Sequence, residues 1–207
     1  LQEVCQQLGW QVGEFWAVEP PGQHLHLAEC WYDPSSDRPG FAVISQTMRF
    51  PYGVGLPGRV WASGQSEWVP DVVTDATFLR APAAKAENLH SAIAIPVQAE
   101  GRCLGVLDFF NQVIAKPDES LLQALVSVGN QIGQFLVRRR TETLLRETNS
   151  LQHAILQSAS YSIISTEPTG LIKTFNAAAE KMLGYSASEV VGQVTPGIFH
   201  DADEVAE

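Results

Sequence analysis

Cysteine is scarce in this chain: Cys5, Cys30 and Cys103 are the only three in 207 residues. Their odd number and wide spacing exclude a disulfide framework and a paired metal motif, and a reduced, cytoplasmic setting suits them. No apolar run approaches the ~18 residues of a membrane span. Basic residues are also few, 13 Lys and Arg against 23 Asp and Glu, for a net charge of −10. That balance repels phosphate backbones and anionic lipid, so neither a nucleic acid nor a membrane surface is an expected partner. The chain opens Leu1-Gln2-Glu3-Val4 without a Met or signal-peptide pattern, and both ends read as cut from a longer protein.

Apolar material is plentiful. With 45% hydrophobic and 17% charged residues, the composition suits one full soluble domain plus a remainder. Charge is uneven along it. Residues 1–137 hold 7 basic and 14 acidic groups, 138–150 hold 4 and 2, and 151–207 hold 2 and 7. The one basic island, Arg138-Arg139-Arg140, reads as a solvated helix face pairing with Glu142 and Glu147.

The organising stretch runs from Asp118 to about Ser158 and reads as one helix, roughly 60 Å long at 1.5 Å per residue. Pro117 suits its first turn, and Asp118 and Glu119 suit the positive end of its dipole. Leu122, Leu125, Gly129, Ile132 and Leu136 form a heptad seam. Leu144, Thr148, Leu151 and Ile155 resume it one position out of phase, across the arginines.

Before this helix, Trp10 to Val18 alternates with apolar residues on both sides, which predicts a strand covered on both faces. Pro20-Pro21-Gly22 turns it into a partner strand, His24 to Tyr32, with Leu25, Leu27 and Trp31 expected on one face. Asp33-Pro34-Ser35-Ser36 breaks that strand. A short helix fits Phe41 to Met48. Phe50 to Gly58 reads as loop, leading into a second short helix that Gly64 ends. Ser66 to Pro70 is extended, and a helix follows Pro82. Ala92 to Val97 and Cys103 to Phe110 are strands joined at Glu100-Gly101. Asp108 interrupts the second of these and reads as a hydrogen-bonded carboxylate at a sheet margin.

After the long helix, Tyr161 to Thr166 and Leu171 to Phe175 form a hairpin. Asn176 caps a helix, Ala177 to Leu183, that Gly184 ends. Ser186-Ala187-Ser188-Glu189 is a capping box for one more, and Thr195 to Glu207 is expected to fray.

This order is an α+β layout on an antiparallel sheet. The segments Gly53-Val54-Gly55-Leu56-Pro57-Gly58-Arg59-Val60-Trp61, Val69-Pro70-Asp71, Ser91 to Val97 and Leu104 to Phe110 occur in an order that resembles the GAF family of regulatory domains. Ile163 to Thr166, Gly170-Leu171-Ile172, Phe175 to Tyr185 and Glu189 to Gly192 resemble the front of a PAS domain. The resemblance implies a GAF sensory domain over 1–137, a helical linker over 138–158 and the N-terminal part of a PAS domain over 159–207. Such an order is typical of bacterial sensor histidine kinases and of diguanylate cyclases, whose output motifs do not occur here. A lone hairpin is marginal in water, so the PAS part is expected to be mobile or held by another copy of the chain.

The resemblance also directs the search for chemistry. Photoreceptor members attach a bilin through a Cys on the helix before the Ser91 strand, and Phe78 to Asn88 contains none, so covalent bilin is disfavoured. A cyclic-nucleotide signature is matched only in part, by Asn111, Lys116, Asp118 and Glu119. Haem is disfavoured too, because His24, His26 and His90 lack a defining context; His24 and His26 read as solvent-facing. One enzymatic relative, the free methionine sulfoxide reductase, uses clustered cysteines, and here they are far apart.

Trp16, Phe41, Trp61, Trp68, Phe78 and His90 are the candidates for lining a ligand pocket, with a simply filled core as the competing reading for the aromatics. No catalytic residue and no metal ligand is assigned. The expected function is a noncatalytic sensory and dimerisation module, with an unidentified small-molecule ligand and a homodimer through the long helix. A reductase or a purely structural dimerisation unit are the alternatives.

Overall fold

The computed structural model describes residues 1–34 and 40–200. Two compact units divide it, residues 1–139 and 140–207.

The first unit is built on a six-stranded antiparallel sheet. Its strands are β1 (Val12–Glu19), β2 (His24–Tyr32), β3 (Arg49–Pro51), β4 (Glu67–Val69), β5 (Ser91–Ala99) and β6 (Arg102–Asn111), in the order β3-β2-β1-β6-β5-β4. Its helices are α1 (Gln2–Leu8), α2 (Gly40–Thr47), α3 (Gly55–Ser63) and α4 (Ala81–Ala86), followed by the long α5 (Glu119–Ser158). The expected α+β layout is therefore the observed one. Hairpin chemistry explains the tightest connection: Glu100 and Gly101 both take positive φ, as a two-residue turn between β5 and β6 requires.

Because strand side chains alternate, the sheet sorts its residues into two cores. One face carries Val12, Trp16, Leu25, Phe50, Val106 and Phe110, packed with Phe41, Leu56, Val60 and Phe78 from the helices and turns. The opposite face carries Ile93, Ile95, Val97, Leu107 and Phe109, covered by α1 and by Leu122, Leu125, Ile132 and Leu136 of α5. Gly129 and Gly133 let that helix lie against the end of β5. A methyl group at Gly129 would sit 2.9 Å from the Pro96 carbonyl oxygen, and one at Gly133 would collide with the Gln98 carbonyl. The first half of the predicted seam is thus occupied by the chain's own sheet.

Three local expectations are corrected. Trp31 does not share a face with Leu25 and Leu27: it packs in the opposite core. The register shifts between Phe15 and Trp16, leaving Ala28 as an extra residue, and such a bulge reverses the alternation beyond it. Phe50 lies in a short edge strand rather than in a loop, paired with Leu25. Pro196–Phe199 forms a 3-10 turn, with Phe199 stacked on Phe175 at 5.6 Å, so that stretch does not fray. The remainder of the predicted frayed end, residues 201–207, lies outside the described residues, as do Ser35 and Ser36 of the strand break.

The second unit contains the end of α5, a two-stranded sheet of β7 (Ile164–Thr166) and β8 (Ile172–Phe175), α6 (Ala177–Leu183) and α7 (Ala187–Val190). Asn176 fastens it: its carboxamide oxygen accepts from the Ile163 and Ala179 amides, and its nitrogen donates to the Leu156 and Tyr161 carbonyls. Glu189 caps α7 by accepting from the Ser186 amide, and these bonds hold its carboxyl below the usual range. A small core of Ile172, Phe175, Ala179 and Val190 lies beneath. No helix among the described residues is long and apolar enough to cross a membrane.

Candidate functional site

Charge is buried on one face of the six-stranded sheet. Val12, Glu14 and Trp16 point the same way along β1, so a carboxylate interrupts an apolar row. In the β1–β6 register Glu14 lies directly opposite Asp108. Both are fully buried. Two acids side by side on a dry surface repel and lose their hydration, and neither is tolerated without a counter-charge.

Arg80 supplies it. This residue is the N-cap of α4, at the end of residues 70–80, which form turns only. Its side chain is 1% exposed. Nη1 lies 2.6 Å from Glu14 Oε2 and donates to Ser45 Oγ at 2.6 Å, and Nη2 is 3.4 Å from Asp108 Oδ2. Ser45 is held in turn by donating to the Phe41 carbonyl. The Trp16 indole N–H donates to the same Glu14 oxygen at 3.1 Å.

Aromatic rings close the cage. The Arg80 guanidinium carbon lies 4.4 Å from the Phe41 ring centroid, 5.1 Å from Phe110 and 5.2 Å from Trp16. Phe50 and Phe78 are each at 5.5 Å. All five are within the ~6 Å over which a ring face attracts a cation. Burial, and then the neighbouring Glu14 charge, push the Asp108 carboxyl well above the usual range against the opposing pull of Arg80. Arg80 lies closer to Glu14, at 2.6 Å, than to Asp108, at 3.4 Å. Glu14 Oε1, Asp108 Oδ1 and Arg80 Nε have no hydrogen-bond partner among the described residues.

Of the six sequence candidates, Trp16, Phe41 and Phe78 converge on this cage. Trp61 instead meets Tyr52 edge-on at 5.0 Å. Trp68 lies on the opposite face, edge-on to Trp10 at 6.0 Å, and donates to the Ala115 carbonyl. His90 pairs with Asp71 at 3.0 Å. Asp108 is corrected from a sheet margin to a fully buried position in β6, between β1 and β5, and His24 and His26 are half-buried rather than solvent-facing. Glu14, Ser45 and Arg80 were missed. A signal existed for Glu14, which shares the parity of Val12, Trp16 and Val18; nothing local marks Arg80.

A second arginine is a clamp. Arg59 donates from Nε and Nη2 to the two Glu67 oxygens at 3.2 and 2.6 Å, and from Nη2 to Asp75 at 3.2 Å, tying α3 to β4 and the following turn. Burial opposes ionisation of Asp75, but hydrogen bonds from Thr77 and Arg59 outweigh it and hold the carboxyl low.

The cysteines do not cluster. Cys5 packs in one core and Cys103 against the other, on opposite faces of the sheet. Cys30 pairs with Glu14 across β1, whereas Cys103 is five residues along β6 from Asp108, about 16 Å at strand rise. Burial pushes the Cys5 thiol up to about 11 and raises that of Cys103. No group of His, Cys, Asp and Glu among the described residues is arranged to hold a metal ion.

The sheet thus carries α1 and α5 on one face and α2, α3 and α4, with the polar cage, on the other. The GAF domain family matches residues 1–137, and the chain belongs to that family. Residues 151–207 match the PAS fold. Together these make the chain part of a signalling sensor module.

Among curated proteins, the chain is 26% identical over 203 residues to protein NLP9 of Arabidopsis thaliana, covering 86% of this chain and 22% of that protein. It is 39% identical over 59 residues to a truncated basic helix-loop-helix protein A of Pisum sativum, covering 28% of this chain and 16% of that one. The chain thus spans less than a quarter of the length of these relatives. Among solved structures, the free methionine-R-sulfoxide reductase of Neisseria meningitidis is similar, with TM-score 0.53 and 25% identity over 67% of this chain and 74% of the other.

Proposed function

We propose that this chain is a noncatalytic sensory and dimerisation module of a signal-transduction protein. The first unit takes a small-molecule ligand, and the resulting change in packing passes along α5 to the PAS part. The observation that carries this reading is the division of labour along α5. Its first half packs on the sheet through Leu125, Gly129 and Gly133. Its second half leaves Leu144, Leu151 and Ile155 at 54%, 62% and 58% exposure, at heptad spacing. A second copy of α5 is the partner that this stripe fits, and a rotation or shift of the packed half would re-register the paired half. The wider protein, on this reading, is a cytoplasmic sensor with a histidine kinase or cyclase output.

Sedimentation of the 207-residue chain at high micromolar concentration tests this. A dimer that dissociates when Leu144, Leu151 and Ile155 are changed to Lys is expected; a monomeric natural chain would overturn it.

The reductase reading draws on the likeness to the Neisseria reductase. Its chemistry needs an attacking thiolate with a resolving thiol in reach, and three cysteines set apart in the fold, with burial raising the Cys5 and Cys103 thiols, do not supply that pair. No turnover of free methionine sulfoxide is expected, with Cys103 intact or replaced.

A further inference from the structure

A buried charge cluster on a sheet face is either a structural ion pair or a binding site. A structural pair is expected to satisfy its own polar atoms. Here one oxygen of each acid, Glu14 Oε1 and Asp108 Oδ1, is completely buried without a hydrogen-bond partner among the described residues, as is Arg80 Nε. Apolar side chains of equal volume are often no less stable than such an arrangement. The cage therefore holds recognition capacity beyond what folding requires.

Its shape and chemistry define what it recognises. Two acids lie opposite each other across β1 and β6, a hydroxyl flanks them, and five rings surround the position of the guanidinium carbon. Acids in the plane and ring faces around it are the complement of a flat, delocalised cation. A compact ammonium would match the acids but not the planar donor fork. The group that fills this space belongs to the chain itself, and it enters from a segment of turns ahead of a six-residue helix.

We propose that the Glu14–Asp108 cage is a binding site for a small ligand bearing a guanidinium or amidinium group, and that Arg80 is its tethered resident competitor. This rests on the sensory reading above and specifies its ligand. Entry of the free cation expels the Arg80 side chain, moving the N-terminus of α4 and with it Phe78. The bound and unbound states then differ in which cation occupies the cage, which supplies the differential contact that a ligand-driven switch needs.

Methylguanidinium is the probe, with the neutral isostere methylurea as control. The full chain with Arg80→Ala should bind methylguanidinium saturably, with the melting temperature rising by about 3–6 °C at ten times the dissociation constant. The natural chain should bind at least tenfold more weakly, because the tethered side chain competes. Methylurea should bind neither, and adding Glu14→Gln to Arg80→Ala should remove the shift. A folded Arg80→Ala chain that is not stabilised, or a natural chain that binds as tightly, overturns the proposal.

If Arg80→Ala does not fold, the tryptophan emission of the natural chain decides. A saturable change below roughly 50 mM, absent in Glu14→Gln, supports the proposal, and no change overturns it. Dimerisation through α5 is read separately, so failure here with an intact dimer removes the ligand class and leaves the transmission reading standing.

Discussion

The two faces of the six-stranded sheet are made by the same strands and differ in kind. On the α5 side, Ile93, Ile95, Leu107 and Phe109 meet helical side chains in an uninterrupted apolar layer. On the other side, the next residues along β1 and β6 are Glu14 and Asp108, buried as completely as the isoleucines. The first face gains roughly 1.5–3 kcal/mol for each large side chain removed from water. The second spends part of its burial on desolvating two acids and a guanidinium, whose mutual attraction at best offsets that cost. Both faces bury an apolar core, and among the described residues the buried charges Glu14, Arg80 and Asp108 all lie in one of them.

Substitutions can break or sharpen this contrast. Arg80→Ala should have the largest effect, about 3–5 kcal/mol in urea denaturation, because Glu14 is left as an uncompensated buried charge. A change below about 1 kcal/mol would mean that water reaches the cage. On the apolar face Ile93→Ala should cost about 2–5 kcal/mol, as a buried aliphatic truncation does, and without the pH dependence described next. Gly133→Ala should cost about 1–3 kcal/mol, since its methyl group meets the Gln98 backbone and α5 must lift.

Asp108→Asn should change slope more than level. In the folded chain Asp108 keeps its proton above the ordinary carboxylate value, whereas the unfolded chain releases it near that value. The folded state then binds more protons, so the contribution of Asp108 to stability falls as pH rises from about 4. Glu14 and Arg80 face it directly, and Glu67 and Arg59 act at longer range. Denaturation midpoints across mildly acidic to neutral pH should fall less steeply in Asp108→Asn than in the natural chain. The smallest effect on folding belongs to Leu151→Lys, within about 0.5 kcal/mol for an exposed position, although it should weaken the dimer.

Much of the apolar face was legible in the sequence, because it follows from periodicity alone. Leu122, Leu125, Ile132 and Leu136 repeat at helical spacing, and Ala92 to Val97 is a continuous apolar strand. What periodicity cannot give is the partner, and the seam's first half turned out to face its own sheet. The other face was half legible. Trp16, Phe41 and Phe78 stood out as large aromatics, but the cation they surround lies 66 residues from Glu14 in the chain. Arg80 sits in an Ala-rich stretch that resembles any helix start, and only the tertiary fold brings it to β1 and β6. The misplaced Trp31 has a smaller cause: one extra residue at Ala28 reverses the alternation, and no turn residue announces it.

The central claim is that the charges on the cage face are not there for stability. It is tested most directly by replacing them together, as Glu14→Gln, Arg80→Met and Asp108→Leu in one chain, with the glutamine carbonyl still able to accept from Trp16. Urea denaturation of this triple variant should give a stability within about 1 kcal/mol of the natural chain, or above it. A loss of about 3 kcal/mol or more would contradict the account and make the cage part of the fold's own support.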